Sequence, residues 1–181
     1  MGRTAAWLLG AVAVGVALAV VLTTWVVSVA KVESGSMSPT LVAGESVVVW
    51  RLGDVRRGDV VGFDGRGSFV PLAHPEVTYV KRVIGLGGDR VTCCDSAGRL
   101  VVNGVSLTED YLAPGTVEEV AFDVVVPAGK MWVMGDNRSD SADSRAHLGD
   151  PGGGFVPLSR VEGQVVAVVA PPSDARRVAT R

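Results

Sequence analysis

Lysine is scarce in this chain. Its 181 residues hold three lysines, Lys31, Lys81 and Lys130, against fourteen arginines. Arginine does not deprotonate at useful pH, so any basic side chain that works as a proton acceptor must come from a short roster. Histidine, the usual base, is scarcer still. His74 sits in a proline-flanked loop with no obvious orienting carboxylate, and His147 stands beside a glycine-rich stretch; both read as solvated surface residues. Cysteine is confined to the adjacent pair Cys93 and Cys94, which cannot close an ordinary disulfide loop. A strained vicinal disulfide and two free thiols both remain open. Two cysteines and two histidines argue against a structural zinc site. Aromatics make up 6%, and the net charge of −2 leaves no basic footprint for a nucleic-acid partner. Heptads, internal repeats, low-complexity tails and phosphate-binding glycine loops are missing.

What is present begins with an apolar run. Residues 4–30 are 27 residues without a charge. As a helix this run would be about 40 Å long, more than the ~30 Å hydrocarbon core of a bilayer. Trp7 and Trp25 lie near its ends, where interfacial anchors belong. A cleavable signal is the competing reading, since Ser28-Val29-Ala30 could pass as a cleavage site. The run is about twice the usual 7–15-residue core of such signals, which favours an uncleaved anchor and a mature chain beginning at or near Met1. Arg3 and Lys31 on the two sides barely decide its orientation. The expected organisation is a short start at 1–4, an anchor helix at 5–30, and one domain at 31–181.

Valine-rich segments separated by turns fill that domain. Strands are expected at 45–50, 60–63, 77–84, 121–126, 130–134 and 161–170, with a hairpin from 90–94 and 99–102 followed by the turn signal Asn103-Gly104. The stretch at 107–120 is mixed and turn-rich. Eight to ten short strands with few helical turns indicate a mainly β fold.

Three stretches carry candidate chemistry. Ser34-Gly35-Ser36-Met37-Ser38-Pro39-Thr40-Leu41 can present a hydroxyl at the edge of a site. Lys81 stands in a strand that is apolar on both sides; facing inward, its ammonium would be disfavoured, as a general base requires. Facing outward, it would be an ordinary strand lysine with a solvated tip. The segment from Gly135 to Arg145 is either a solvated loop or a buried polar network in which Asp136 and Asp143 brace Arg145 or Arg138 while a serine orients the amine.

Taken in order after one anchor, these stretches resemble the type I signal peptidases of bacteria, membrane-bound serine proteases with a Ser–Lys dyad. The resemblance rests on Ser34-Gly35-Ser36-Met37 with Pro39-Thr40-Leu41, on Arg57-Gly58-Asp59-Val60-Val61, on Tyr79-Val80-Lys81-Arg82-Val83-Ile84-Gly85, and on Gly135-Asp136-Asn137-Arg138 with Ser141-Ala142-Asp143-Ser144-Arg145. It implies a signal-peptidase-like β-barrel or β-rich catalytic domain with one N-terminal transmembrane helix. It also implies Ser36 as nucleophile, Lys81 as general base, Ser141 as the group that hydrogen-bonds and positions Lys81, and the Ser34 hydroxyl with the Ser36 N–H as oxyanion hole. Val32, Met37, Leu41, Tyr79 and Val80 would line small-residue pockets, with Asp136, Asn137, Arg138, Asp143 and Arg145 as structural support. Substrates would be exported preproteins cut after Ala-X-Ala-like stretches at the membrane surface, with no metal or organic cofactor. The catalytic domain would lie outside the cell membrane and the amino terminus inside. Two departures stand out: Glu33 where many relatives have proline, and Gly87-Gly88-Asp89 in place of a common Pro-Gly-Asp turn. A short segment at about 90–130, with no catalytic role, replaces a larger subdomain. The alternatives are a self-cleaving repressor with the same core, an idle β-domain that only binds exported proteins, and a Ser-His-Asp hydrolase using His74 or His147.

Overall fold

The computed structural model describes residues 2–116 and 120–180. Met1 lies outside them, as do residues 117–119 of the expected turn-rich stretch.

The chain opens with helix α1, Gly2–Val26. It ends earlier than the anchor expected at 5–30, because Val27–Lys31 forms strand β1 instead. Val-Ser-Val-Ala-Lys suits either conformation by composition. The ladder to β2, Ser46–Trp50, decides it, with Val29 opposite Val48 and the Arg51 N–H donating to Val26 O at 2.9 Å. Trp7 and Trp25 are 78% and 75% exposed, and the apolar side chains described between them are exposed too. Among the described residues no helix is long and apolar enough to cross a membrane. The side chains described in α1 begin at residue 7 and omit 22 and 24, so they do not take in the whole apolar run.

The rest is mainly β. Strands β3 (Val60–Asp64), β4 (Thr78–Leu86), β5 (Arg90–Cys93), β6 (Val101–Val102), β7 (Val105–Ser106), β8 (Phe122–Val125), β9 (Lys130–Met134), β10 (Val156–Pro157), β11 (Val161–Ala170) and β12 (Arg176–Arg177) follow. The larger sheet is antiparallel in the order β1-β2-β11-β3-β4-β9-β10, with β12 on β11. It curls without closing, so β1 and β10 are its edges. A second sheet, β7-β6-β5-β8, holds the expected 90–102 hairpin. Asn103 and Gly104 make its second turn, both at positive φ (53° and 81°), as a two-residue hairpin loop demands. Cys93 and Cys94 are joined in a vicinal disulfide. The unusual Gly87-Gly88-Asp89 turn is closed by Asp89, whose N–H donates to Leu86 O while its carboxylate accepts from the Leu86 N–H, both at 2.8 Å.

Strand alternation sorts β4 into two faces. Val80 packs with Val32, Met37, Leu41, Val47, Val60 and Val165 in one core. Tyr79 and Val83 pack with Phe63, Phe69 and Val133 in another. A third core, around Trp132, Leu100 and Phe122, glues the small sheet to the large one. With β3 on one side and β9 on the other, β4 is a central strand, and this is what buries Lys81.

Candidate active site

Lys81 lies opposite Val61 in the β3–β4 ladder and is 4% exposed. Its Nζ donates to Ser36 Oγ at 2.8 Å and to Val80 O at 3.1 Å. Burial pushes the Lys81 amine below its ordinary range, against the opposing pull of the Asp143 and Asp136 charges. A neutral amine at this distance can take the Ser36 proton. Ser36 is itself 9% exposed, and its Oγ lies 3.2 Å from Ser34 Oγ.

The segment that carries Ser36 is pinned at both ends. Met37 and Leu41 are buried in the first core, and the Leu41 N–H donates to Met37 O at 2.9 Å. On the polar side, the Asn137 N–H donates to Ser36 O at 3.0 Å and Asn137 Nδ2 to Gly35 O at 3.1 Å. The 135–138 segment therefore holds the serine backbone directly. Gly135 allows this approach: a Cβ there would stand 2.4 Å from Ser36 O and 2.2 Å from Ser141 Oγ. Gly135→Ala must push Ser36 aside, and a displacement near 1 Å is expected to lower kcat about 100-fold. Steady-state kinetics at equal folded concentration checks this; a variant within threefold of wild type would show that the segment gives way without moving the serine.

The polar network forms with partners other than those the sequence suggests. Asp136 does not brace Arg145 or Arg138. It binds Arg82, with Arg82 Nε donating to Oδ1 at 2.8 Å and Nη2 to Oδ2 at 2.7 Å; both side chains are wholly buried. Thr40 Oγ1 donates to the same carboxylate at 2.5 Å. Consecutive strand residues point to opposite faces, so Lys81 meets the serine while Arg82 meets this pair. Arg138 pairs with Glu109, and its Nε donates to Gly135 O at 3.1 Å. Asp143 and Arg145 do pair, at 2.9 and 2.7 Å, and Asp143 also accepts from the Gly135 N–H at 2.9 Å. Burial would raise the Asp143 carboxyl, but Arg145, the Gly135 N–H and nearby Ser141 outweigh it and leave it below the ordinary range.

Ser141 departs from expectation. No hydrogen bond joins it to Lys81, whose Nζ is taken up by Ser36 and Val80 O. Ser141 Oγ is buried against Gly135 without a well-formed hydrogen bond, although it lies near enough to Asp143 to help hold that carboxylate ionised. The expected pocket residues also separate. Val32, Met37, Leu41 and Val80 share one core, whereas Tyr79 stacks on Phe63 and meets Phe69 edge-on, at 5.9 and 5.2 Å. His147 is less solvated than expected: it stacks on Phe69 at 4.4 Å and meets Asp150 at 2.7 Å. His74 Nδ1 lies 2.8 Å from Pro75 O. Neither histidine bonds Ser36 among the described residues. Arg82, Glu109, Tyr111 and Ser144 were not singled out by sequence. Ser144 Oγ accepts from the Val133 N–H at 3.0 Å and donates to Gly154 O at 2.8 Å, fixing the segment to β9.

A curled antiparallel sheet thus brings a serine hydroxyl against a buried lysine amine. Comparison with known proteins names the family. Residues 4–170 match the family described as signal peptidase, peptidase S26. The chain is 35% identical to a probable signal peptidase I of Mycobacterium leprae, over 94% of this chain and 78% of that protein. It is 36% identical to signal peptidase I of Bacillus licheniformis, over 92% and 89%. A crystal structure of a signal peptidase I from Enterococcus faecalis, 31% identical, covers 63% of this chain and 98% of that one with a TM-score of 0.48. The chain belongs to the S26 family of signal peptidases. It is a serine-type peptidase, a hydrolase that removes signal peptides from preproteins.

Proposed function

We propose that Ser36 is the nucleophile and Lys81 the general base of this peptidase, a reading carried by the 2.8 Å contact between Lys81 Nζ and Ser36 Oγ at a buried amine. Ser36 Oγ attacks the scissile carbonyl carbon as its proton passes to Nζ. The Ser36 N–H and the Ser34 hydroxyl receive the charge that develops on the carbonyl oxygen. The C–N bond then breaks, the mature protein's new amino group takes the proton from Lys81, and the signal peptide is left as an ester on Ser36. Water, deprotonated by Lys81, releases it. The ammonium has a third donor beyond those facing Ser36 and Val80 O. Ser141, a buried hydroxyl with no well-formed hydrogen bond although Asp143 is near, is the acceptor that would position it. Val32, Met37, Leu41 and Val80, packed in one core, would floor the site for small side chains of an Ala-X-Ala stretch, whereas Tyr79 packs with Phe63 and Phe69 on the other face of β4.

The exposed apolar surface of α1 calls for a cover, and lipid is the cover its composition fits. We place this helix across the cell membrane, amino end inside, with the β domain outside. Ser36, five residues past the end of β1 at Lys31, would then work near the bilayer surface.

The test is the pH profile of kcat/KM on a preprotein with an Ala-X-Ala site. Protonated Lys81 cannot accept a proton, so activity should fall as pH drops through its pKa, which burial lowers from the ordinary 10.5. A variant with His74→Ala and His147→Ala should keep this profile. Loss of the limb in that variant would transfer the base to a histidine and overturn the reading.

A further inference from the structure

The segment that follows β7 carries no expected role, yet it reaches the back of the site. Leu107 anchors it, its N–H donating to Leu100 O at 2.7 Å. The chain then folds over two buried arginines. Tyr111 lays its ring on the Arg82 guanidinium, whose Cζ stands 3.8 Å from the ring centre. The Tyr111 hydroxyl donates to Glu109 Oε1 at 2.5 Å, and that carboxylate is ion-paired with Arg138. The Glu109 and Arg138 side chains are only 9% and 2% exposed. Burial, then the Glu109 charge, pushes the Tyr111 phenol upward, so it stays a donor.

These contacts converge on one short piece of chain. Arg82 holds the Asp136 carboxylate, and Arg138 Nε holds Gly135 O. Between them, the Asn137 N–H holds Ser36 O. A face-on aromatic ring attracts a desolvated guanidinium through its negative π face. Burying Glu109 is costly unless Arg138 stays opposite it. Both terms resist movement of the arginines, and through them of the 135–138 segment.

We propose that residues 107–112 are a strap that positions the nucleophile. Glu109 and Tyr111 act through Arg138 and Arg82 to hold the 135–138 segment, and with it Ser36, in line for attack. The inference rests on the Ser36–Lys81 reading, and on that reading Glu109 and Tyr111 touch neither substrate nor dyad. They are positioning residues whose loss slows the chemical step and leaves substrate binding alone.

The experiment uses the full chain in detergent with a preprotein carrying an Ala-X-Ala site. Wild type, Glu109→Ala, Tyr111→Leu and Tyr111→Phe are compared per folded enzyme. Glu109→Ala and Tyr111→Leu should lower kcat about tenfold with KM within about twofold. Tyr111→Phe keeps the ring over Arg82 and should recover the greater part of the loss. If Glu109→Ala does not fold, Glu109→Gln keeps the side chain's shape without its charge and carries the same expectation of reduced kcat. Unchanged kcat per folded enzyme in the folded variants, with only a lower Tm, would make the strap purely structural and overturn the proposal. So would a rise in KM with kcat unchanged. An active Lys81→Ala would overturn the dyad instead, and is read separately from the strap variants.

Discussion

Lys81→Ala is expected to lower kcat about 10,000-fold without unfolding the protein. Two facts set that size. The Nζ is the group placed 2.8 Å from Ser36 Oγ, and neither histidine bonds Ser36 among the described residues. An unassisted serine hydroxyl is a poor nucleophile near neutral pH. Lys81→Arg should be equally inactive, because a guanidinium keeps its proton. Stability should move the other way. Between the lowered native pKa and 10.5 an unfolded chain holds the Lys81 proton, while the native site, with its pKa lowered by burial, releases it. The native state then binds fewer protons, so stability falls as pH falls from 10.5 toward the lowered value. Lys81→Ala removes this linkage, and its thermal stability should depend less on pH across that alkaline range. Kinetics paired with thermal unfolding at several pH values measures both effects. An alanine variant as fast as wild type would place the base elsewhere.

The strand pattern of this chain is largely legible because valine alternation and glycine turns are local signals. Segments 45–50, 60–63, 77–84, 130–134 and 161–170 all became strands within about two residues of expectation. The end of α1 was not legible. Val27–Lys31 is apolar enough to continue a helix, and only the distant partner Ser46–Trp50 turns it into a strand. The same contrast runs through the site. Ser36 and Lys81 could be matched from motifs that resemble a known family. Arg82 stood inside one of those motifs, and a lone arginine beside a buried lysine in an apolar strand was a signal that it, too, must be paired. Its partner could not be read, because Asp136 lies 54 residues away and meets it only across the folded sheet. Glu109 and Tyr111 sit in a segment with neither periodicity nor motif, so their convergence on the arginines is a property of the tertiary fold alone.

Asp136→Ala is expected to destabilise the protein by about 3–5 kcal/mol, the usual cost of leaving one member of a buried ion pair behind. Arg82 has no exposed surface, and its remaining contacts would be Gly58 O, Ala179 O, Thr40 Oγ1 and the Tyr111 ring. Neutral carbonyls cannot offset a full charge removed from water. For a chain of this length the loss corresponds to a fall in Tm of about 10 °C. Thr40 would also lose its carboxylate acceptor, loosening the far end of the segment that carries Ser36. The double variant Asp136→Leu with Arg82→Met removes both charges, and most of the stability should return. Activity should not return with it. Tyr111 would have no cation beneath it, and the backbone that carries Asn137 to Ser36 O would keep the β9 ladder to β4 but lose its side-chain tie at Asp136. A double variant that regains both stability and kcat would show that the pair serves packing alone. Recovery of stability without kcat would show that a buried charge pair, costly to the fold, is retained because it fixes where the serine stands.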